Sequence, residues 1–237
     1  MLKTLPRAAM LVLAGLALAA CSTTDQTQSQ LAYAPTPPPT DPRIGQMYGA
    51  VEDNGWQIPA VDPAQMDPRN IRQVVDYATD EPIGTVVVDP HARFLYLVME
   101  NGKAMRYGVG VGKAGLEFTG EGLIARKAAW PRWTPTQDMI KREPEKYGGE
   151  LRDGMKGGIE NPLGARALYL FKGGRDTLYR IHGTNQEWSI GQAVSSGCIR
   201  MLNQDVIDLN QRVPPQTRIV VLGPDGRPQT NAAGETS

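Results

Sequence analysis

The chain has 237 residues, enough for one sizeable domain or two small ones, and 41% of them are apolar, so a hydrophobic core can form. Lys plus Arg and Asp plus Glu balance at 25 each. This balance argues against nucleic acid or another polyanion as a partner. With two histidines and two cysteines in the whole chain, we also expect no metal site, because scattered ligands do not form a cluster.

Residues 1–20 have the composition of a bacterial export signal. A basic start precedes an uncharged, mostly apolar run over 8–20, which is shorter than the roughly 20 residues that span a bilayer as a helix. The run ends in Leu-Ala-Ala-Cys, which resembles the lipobox of bacterial lipoproteins; a plain secretory signal with a chance cysteine is the alternative. The resemblance implies lipidation of Cys21 and, because Ser22 follows, a periplasmic protein anchored in the outer membrane of a Gram-negative bacterium.

Residues 21–42 then comprise the lipidated N-terminus and a linker rich in Pro, Thr and Gln. With almost nothing to bury, we expect this linker to be a disordered tether. Residues 43–81 contain more Gly, Pro and Met, with one helix candidate over 70–77. They either lengthen the tether or pack on the folded domain as an N-terminal extension, and the sequence leaves both open. Residues 223–237 form a polar tail.

The folded domain is predicted over residues 82–222. Asn101-Gly102 is a strong hairpin turn between two strands, and 114–165 is predicted as a long irregular insertion with one short helix near 136–146. The remaining predicted elements are strands over 85–88, 93–99, 104–111, 167–171, 177–181 and 218–222, a helical turn over 188–194 and a helix over 205–211. The fold class is therefore mainly β with short helices (α+β), built on a mixed sheet curled around its core.

The glycines at 108, 110 and 112 invite comparison with a nucleotide-binding loop. A dinucleotide fingerprint needs Gly at 113, and a phosphate loop needs Gly at 107 and Ser or Thr at 114. Those positions hold Lys113, Tyr107 and Ala114. We interpret the stretch as a strand with small residues where another backbone or a substrate comes close, and we expect no cofactor.

The strongest chemical signal is a histidine and a cysteine 16 positions apart. His182 lies in Ile-His-Gly-Thr-Asn at 181–185, and Cys198 in Ser-Ser-Gly-Cys-Ile-Arg-Met at 195–201. A free thiol, with a pKa of about 8.5, is largely protonated at neutral pH, and an imidazole within hydrogen-bond reach can accept that proton. The alternative is a buried cysteine that acts as a small apolar residue. If Cys21 is lipidated, Cys198 has no disulfide partner in an oxidising compartment, which favours the catalytic interpretation.

These two motifs, together with Asn-Pro-Leu-Gly-Ala-Arg at 161–166, resemble the signature of the L,D-transpeptidases (the YkuD domain), and the resemblance covers about 82–222. It implies that Cys198 is the nucleophile and His182 its base. Peptidoglycan stem peptides would be the substrates: the thiol attacks the third residue of a tetrapeptide, D-Ala leaves, and an amine resolves the thioester. That amine belongs to another stem or to a lysine of an outer-membrane protein.

The resemblance and the sequence also suggest supporting roles around this pair. The family holds its histidine with a backbone carbonyl that corresponds to Gly183, whereas from sequence alone Asn185 or Asp205 could orient the ring. Gly197 should let backbone amides near Cys198 face a developing oxyanion. The candidate substrate-binding residues are Arg200, Ser196, Asn185 and Trp133. Arg200 alternatively forms a structural ion pair, and Trp133 alternatively packs its loop on the core.

One departure from the family is that many members have a histidine where this chain has Ser196, so no second histidine is available here. Two other functions remain open. The same scaffold can act as a hydrolase if water resolves the thioester, or the protein can be a non-catalytic lipoprotein that binds the wall. Since family members are typically acylated by carbapenems, the resemblance also implies a covalent carbapenem adduct on Cys198.

Overall fold

The computed structural model describes residues 41–112, 118–195, 197–223 and 226. The helices are α1 Pro42–Met47, α2 Gln137–Arg142, α3 Pro144–Tyr147 and α4 Asn203–Arg212. The strands are β1 Val51–Asp53, β2 Trp56–Ile58, β3 Gln73–Asp76, β4 Val86–Asp89, β5 Phe94–Val98, β6 Lys103–Gly108, β7 Val111–Gly112, β8 Gly120–Ala129, β9 Arg166–Lys172, β10 Arg175–His182, β11 Ala193–Ser195, β12 Ile199–Arg200 and β13 Thr217–Val221. The predicted signal peptide, Cys21, nearly all of the linker, Ser196 and most of the polar tail lie outside the described residues.

The largest sheet has nine strands in the order β12-β10-β9-β8-β13-β4-β5-β6-β3. It is mixed: β13 pairs in parallel with β4 and β10 in parallel with β12, while its other pairs are antiparallel. Short helices surround it, so the prediction of a mainly β fold with a mixed sheet is confirmed. In the described residues, no helix is both long enough and apolar enough to cross a membrane.

The sheet curls until its two ends approach each other. Gly110, just beyond β6, forms two backbone hydrogen bonds with Arg200 of β12, at 2.9 and 2.8 Å. A Cβ at Gly110 would lie 2.5 Å from the Ser189 carbonyl oxygen, and one at Gly108 would lie 2.6 Å from Cβ of Asn70. The interpretation of these glycines as sites of close backbone approach is therefore confirmed.

Successive side chains along a strand point to opposite faces of the sheet, and apolar side chains form a buried cluster on each face. In β4, Val86 and Val88 point into a core that also contains Leu168, Ile181 and Val206 of α4, whereas Val87 points the other way. The second cluster contains Val75, Val87, Phe94, Tyr96, Val98 and Ala104. The first cluster is the larger, and it fixes the inner face of the strands that carry the histidine and the cysteine.

Residues 41–81 pack on the domain, so their interpretation as a further length of flexible tether is wrong. Ile44, Tyr48, Val61 and Ile71 form a buried cluster with residues of the catalytic region, and β3 extends the sheet by pairing with β6. The predicted helix over 70–77 is also wrong. Its Gln-Val-Val-Asp segment is a strand, because an exposed sheet edge was available for β-branched side chains to join.

The insertion over 114–165 is more regular than predicted. It contains β8, a ten-residue strand between β13 and β9 in the sheet. The sequence Gly-Glu-Gly-Leu-Ile-Ala-Arg-Lys-Ala-Ala has weak strand propensity, and pairing on both sides overrides it. The short helix predicted near 136–146 is present as α2 and α3, with the Thr136 hydroxyl accepting from the Met139 N–H at the start of α2.

A buried polar cluster joins the N-terminal extension to α4. The Asp205 carboxylate is fully buried, 3.3 Å from Arg72 Nη1, and its Oδ2 accepts a 3.3 Å hydrogen bond from the Tyr48 hydroxyl. Burial raises the pKa of Asp205 to about 7, even though Arg72 opposes the shift. At neutral pH this carboxyl is therefore partly protonated.

This pKa predicts a pH-dependent stability. Because the folded-state pKa of Asp205 lies above its unfolded value, folding favours the protonated form, and its contribution is lost as pH rises toward about 7. Asp205→Asn should therefore gain stability relative to the wild type between pH 4 and 7, by at most about 1.4 kcal/mol per pH unit. Urea denaturation of both proteins across this range tests the prediction. Because both proteins retain His182, the difference between their free energies of unfolding reports on Asp205 alone. A difference that does not change with pH would contradict the prediction.

Candidate active site

The parallel pairing of β10 with β12 sets the orientation of the candidate catalytic side chains. Ile181 is paired with Ile199, and both point into the larger core. His182, paired with Arg200, therefore points to the opposite face. Cys198 lies in the turn directly before Ile199, and its thiol is within electrostatic range of both Arg180 and Arg200. The structure thus places Arg180, His182 and Arg200 on one face at the edge of the sheet, and the same two arginines act electrostatically on His182 and on Cys198.

The His182 ring is buried, with 4% of the residue exposed. Its Nδ1 lies 2.5 Å from the Gly183 carbonyl oxygen. An N–H at Nδ1 that donates to this carbonyl leaves Nε2 as the acceptor nitrogen. Burial lowers the pKa of His182 to about 4, and the nearby Arg200 and Arg180 lower it further, against the opposing effect of the Gly183 carbonyl. The imidazole is consequently neutral and able to accept a proton at neutral pH.

Cys198 is a free thiol that is partly exposed at its face of the sheet. Burial raises the pKa of its thiol, while the charge and backbone N–H of Arg180, and the charge of Arg200, pull it down. The resting pair is therefore a neutral imidazole and a thiol. For such a thiol to act as a nucleophile, a nearby base has to accept its proton during the attack.

A tight turn presents Cys198. The Ser195 hydroxyl donates to the Cys198 carbonyl at 2.6 Å and accepts the Gly197 N–H at 3.3 Å. Gly197 has φ 122°, a conformation that side chains disfavour. Among the described residues, the Cys198 N–H has no hydrogen-bond partner, so it is the amide in this turn best able to receive an oxyanion. The Gly197 amide is already engaged.

Gly183 is held where a side chain does not fit. A Cβ at Gly183 would clash with Oδ1 of Asn203, which accepts from the Ala165 N–H at 2.9 Å; Nδ2 of Asn203 donates to the Thr184 carbonyl at 3.1 Å. Asn203 thus fixes the backbone on both sides of the carbonyl that contacts the His182 ring. The other two candidate orienters lie elsewhere: Asn185 donates to the Glu160 carbonyl at 2.9 Å, and Asp205 belongs to the buried cluster with Tyr48.

Substituting Gly183 by alanine should therefore impair the site more than the fold. We expect the added methyl to push Asn203 and the Gly183 carbonyl apart and to cost about 1–3 kcal/mol of stability. A shift of the ring of about 1 Å can lower catalytic efficiency by about 100-fold. The measurement is the acylation rate of Cys198 beside the melting temperature. Gly45→Ala, where the methyl would meet nothing within 4 Å, is the matched control: it should leave the acylation rate unchanged and raise the melting temperature slightly, because Ala favours the helix α1 over Gly.

Arg200 is half-buried, and its Nη1 donates to Oε1 of Gln186 at 2.8 Å. Neither Asp nor Glu forms a salt bridge with it in the described part of the chain, so a structural ion pair is not observed there. The Tyr147 hydroxyl acts electrostatically on Arg200, and the Tyr147 ring lies 6.0 Å from that of Trp133. The loop that carries Trp133 therefore approaches the same face of the site.

Hydrogen bonds from Asn161 and to Asp53 fix the loop around Trp133. Nδ2 of the buried Asn161 donates to the carbonyls of Pro131, Met155 and Lys156. Asp53, from the N-terminal extension, accepts two hydrogen bonds from Arg166 at 2.6 and 2.7 Å. It also accepts the Trp130 indole N–H at 2.8 Å. Trp130 is thus a packing residue in this loop.

Two residues of the site were missed by the sequence reasoning. Arg180 precedes His182 by two positions in a strand, so alternation alone places it on the same face. Ser195 gave no comparable signal, because its role depends on the conformation of the turn. Ser196, proposed for substrate binding, lies outside the described residues. No three His, Cys, Asp or Glu side chains form a metal-binding group in the part of the chain that the structure describes.

Comparison with known proteins gives a consistent result. The L,D-transpeptidase catalytic domain YkuD matches residues 83–221. Probable L,D-transpeptidase ErfK/SrfK of Escherichia coli (strain K12) is 37% identical over 141 residues, which cover 59% of this chain and 44% of that protein. Putative L,D-transpeptidase YqjB of Bacillus subtilis (strain 168) is 35% identical over 137 residues, covering 57% of this chain and 69% of that protein.

Among solved structures, one from Brucella melitensis, described as a probable carnitine operon oxidoreductase caia, is 53% identical. It covers 66% of this chain and 96% of that chain, with a TM-score of 0.46. The chain spans less than half the length of the ErfK/SrfK proteins of E. coli and Salmonella typhimurium, at 44% and 36%. The domain match covers more than half of the present sequence. The chain therefore belongs to the L,D-transpeptidase family, and residues 83–221 match its YkuD catalytic domain.

Proposed function

We propose that this protein is a peptidoglycan L,D-transpeptidase that uses Cys198 as its nucleophile and His182 as its base. The observation that carries the proposal is the pairing of β10 with β12, which puts Arg180 and Arg200 within electrostatic range of both His182 and Cys198. The neutral state of His182 and the contact of its Nδ1 with the Gly183 carbonyl support the role of a base. Family membership supports the reaction class.

In the first half-reaction, Nε2 of His182 takes the proton from the Cys198 thiol as the sulfur attacks the carbonyl carbon of the third residue of a tetrapeptide stem. The carbonyl oxygen gains negative charge and accepts a hydrogen bond from the Cys198 N–H. Losing one such donor costs about 3 kcal/mol in other acyl-transfer enzymes. The C–N bond then breaks, His182 returns the proton to the leaving nitrogen, and D-Ala departs from the acyl thioester.

In the second half-reaction, an amine attacks the thioester carbonyl. His182 accepts a proton from the amine, the C–S bond breaks, and the thiol is restored as an amide forms. The acceptor amine belongs to another stem peptide, which gives a 3–3 cross-link, or to a lysine of an outer-membrane protein. This location of the chemistry agrees with the proposed periplasmic protein anchored through lipid on Cys21.

The arginines have separate roles in this proposal. Arg180 favours the thiolate through its charge and its backbone N–H. Arg200 contacts Gln186 with one nitrogen and keeps further guanidinium donors for a carboxylate of the stem peptide. Tyr147 lies within electrostatic range of Arg200, and its ring is 6.0 Å from that of Trp133, so the third residue of the stem or its neighbour would lie near these side chains.

The low pKa of His182 predicts an unusual pH profile for acylation. An ordinary imidazole, with a pKa near 6.5, would lose more than about tenfold of its basic form between pH 7 and 5. Here the neutral base is present down to pH of about 4, so the acylation rate should stay nearly constant from pH 7 to 5 and fall below that. Stopped-flow measurement of acylation by a carbapenem checks this. An acid limb centred near pH 6.5 would contradict the buried, neutral state of the ring.

The function itself is tested by incubating the purified protein with disaccharide-tetrapeptides and reading product masses. A dimer that has lost one D-Ala is the expected result. Loss of D-Ala without a dimer would identify a hydrolase on this scaffold, and unchanged masses would identify a non-catalytic wall-binding protein. Either outcome would overturn the proposal of transfer. A lysine-containing peptide added as acceptor distinguishes protein attachment from cross-linking.

A further inference from the structure

A groove of about 770 Å³ lies beside the candidate active site and is unused by the mechanism above. One wall is formed by residues 61–70 of the N-terminal extension and the other by residues 185–192, the loop that follows His182. Its size falls within the range of about 300–1,000 Å³ that is typical of small-molecule sites. We propose that this groove binds the glycan part of the wall substrate, through its N-acetylated amino sugars. The inference rests on the proposed function.

The floor of the groove contains an unsatisfied hydrogen-bond acceptor. Asn70 is buried, with 6% of the residue exposed, and its Oδ1 has no hydrogen-bond partner in the described structure. Gly108 and Gly191 pack against it so closely that a Cβ at either position would lie 2.6 Å from an Asn70 atom. A buried polar atom without a partner is costly and is normally satisfied. An acetamido N–H is a donor of the required kind, and the proposal requires the Asn70 amide to turn its Oδ1 toward the groove to accept it.

Apolar side chains lie next to this acceptor. Met66, Ile190 and Leu202 line the groove, and the last two are almost fully buried. The methyl of an acetamido group is small and apolar, so it can contact these side chains while the N–H points to Asn70. This combination of one acceptor and an apolar floor discriminates in favour of an N-acetylated sugar over one that carries only hydroxyls.

The mouth of the groove has the groups that bind a sugar ring. Trp188 is 65% exposed and lines the groove, which offers a broad aromatic face to the C–H groups of a pyranose, with the indole N–H able to donate. Glu187 and Arg93 also line the groove, and their side chains form no hydrogen bond or ion pair within the described residues. In all, three carboxylates and two guanidiniums line the groove, and this nearly balanced charge suits a neutral, hydroxyl-rich ligand better than a strongly charged one.

The groove and the active-site face share one loop. Asn185 and Glu187 line the groove, whereas Gln186 between them accepts the hydrogen bond from Arg200 on the Cys198 side. A single substrate can therefore place its sugars on one side of this loop and its stem peptide on the other. On this basis the groove selects stems that are still attached to glycan.

The binding test uses the full chain and a stem-free probe, tri-N-acetylchitotriose, titrated by calorimetry. We expect binding by the wild type, weakened by more than about tenfold in Trp188→Ala and in Asn70→Ala. Ile83→Ala, at a residue 67% exposed outside the groove lining, is the control and should bind as the wild type does. Absence of binding by the wild type would overturn the proposal. So would an affinity in both groove variants that equals that of the wild type.

A second measurement separates glycan from peptide. Side-chain amide and indole resonances of Asn70 and Trp188 should shift on adding the chitotriose. If free tetrapeptide shifts them and the chitotriose does not, the groove is a peptide site and the glycan proposal is wrong. These binding measurements require no turnover. Failure of the transpeptidase assay with intact chitotriose binding would therefore refute the proposed reaction separately, and the reverse pattern would refute the groove assignment alone.

Discussion

Replacing Cys198 by alanine should abolish formation of cross-linked dimer, release of D-Ala and the carbapenem adduct together. Removing Cys198 eliminates the sulfur that forms the proposed thioester, and losses on the order of 10⁴ to 10⁶ are usual for nucleophiles. The fold should be retained, because the side chain is small and partly exposed. The melting temperature should thus change by no more than about 3 °C. Product masses and thermal unfolding of one preparation give both readouts.

The companion variant is His182→Ala, together with the double variant. If the ring acts only through the sulfur, the double variant should be no less active than Cys198→Ala alone, because residues that act as a unit are non-additive. Alanine at 182 leaves a cavity, so its melting temperature must be measured beside its activity. Residual dimer formation by Cys198→Ala would mean that another group is the nucleophile. Full acylation of His182→Ala would mean that the base lies elsewhere.

Deleting residues 41–81 should abolish cooperative folding of the catalytic domain. The deletion removes four side chains of the cluster that covers Ile190 and Leu202, and burying each such side chain contributes about 1.5–3 kcal/mol. It also removes Arg72 from Asp205 and Asp53 from Arg166, leaving a buried acid and a nearly buried base without partners. Total stabilities are only about 5–15 kcal/mol, so the sum of these losses is enough to unfold the domain.

The matched comparison is a chain that begins at Asp41, whose carboxylate accepts from the Arg43 N–H at the start of α1. We expect this protein to melt cooperatively and the chain that begins at residue 82 to lack a cooperative transition in near-ultraviolet circular dichroism. If both chains melt within a few degrees of each other, the extension contributes little to the fold. In that case the shorter chain would be a folded domain that lacks one wall of the groove, and we expect it not to bind the glycan.

How far the sequence predicts this structure depends on how local each signal is. The hairpin at Asn101-Gly102 and the strands beside it are encoded by turn chemistry and alternation within a few residues, and they are present as β5 and β6. The placement of His182 at the end of β10 is also local. By contrast, β8 has weak strand propensity and is a strand because β13 and β9 pair with it on either side. One of these partners, β13, lies nearly 100 residues away in the sequence, so no local pattern predicts the pairing.

The candidate site shows the same division. The identities of the histidine and the cysteine follow from motifs, and their common proximity to two arginines follows from a register that only pairing of β10 with β12 sets. The resemblance implies that the Gly183 carbonyl orients the His182 ring. The sequence alone does not favour Gly183 over Asn185 or Asp205 in this role. Packing of the extension could not be decided, because Ile44 and Tyr48 find their partners at Ile190 and Leu202. These contacts span some 150 positions, beyond the reach of periodicity.

The position of β13 has a consequence for when the enzyme can first react. This strand is the last in sequence among the described elements, yet it lies mid-sheet, between β4 and β8. A ribosome releases the chain from its N-terminus, so the earlier strands lack their central partner until residues 217–221 emerge. Pairings this distant are slow to form. We therefore expect His182 and Cys198 to reach their final positions in the sheet only after the whole domain over residues 83–221 has been synthesised.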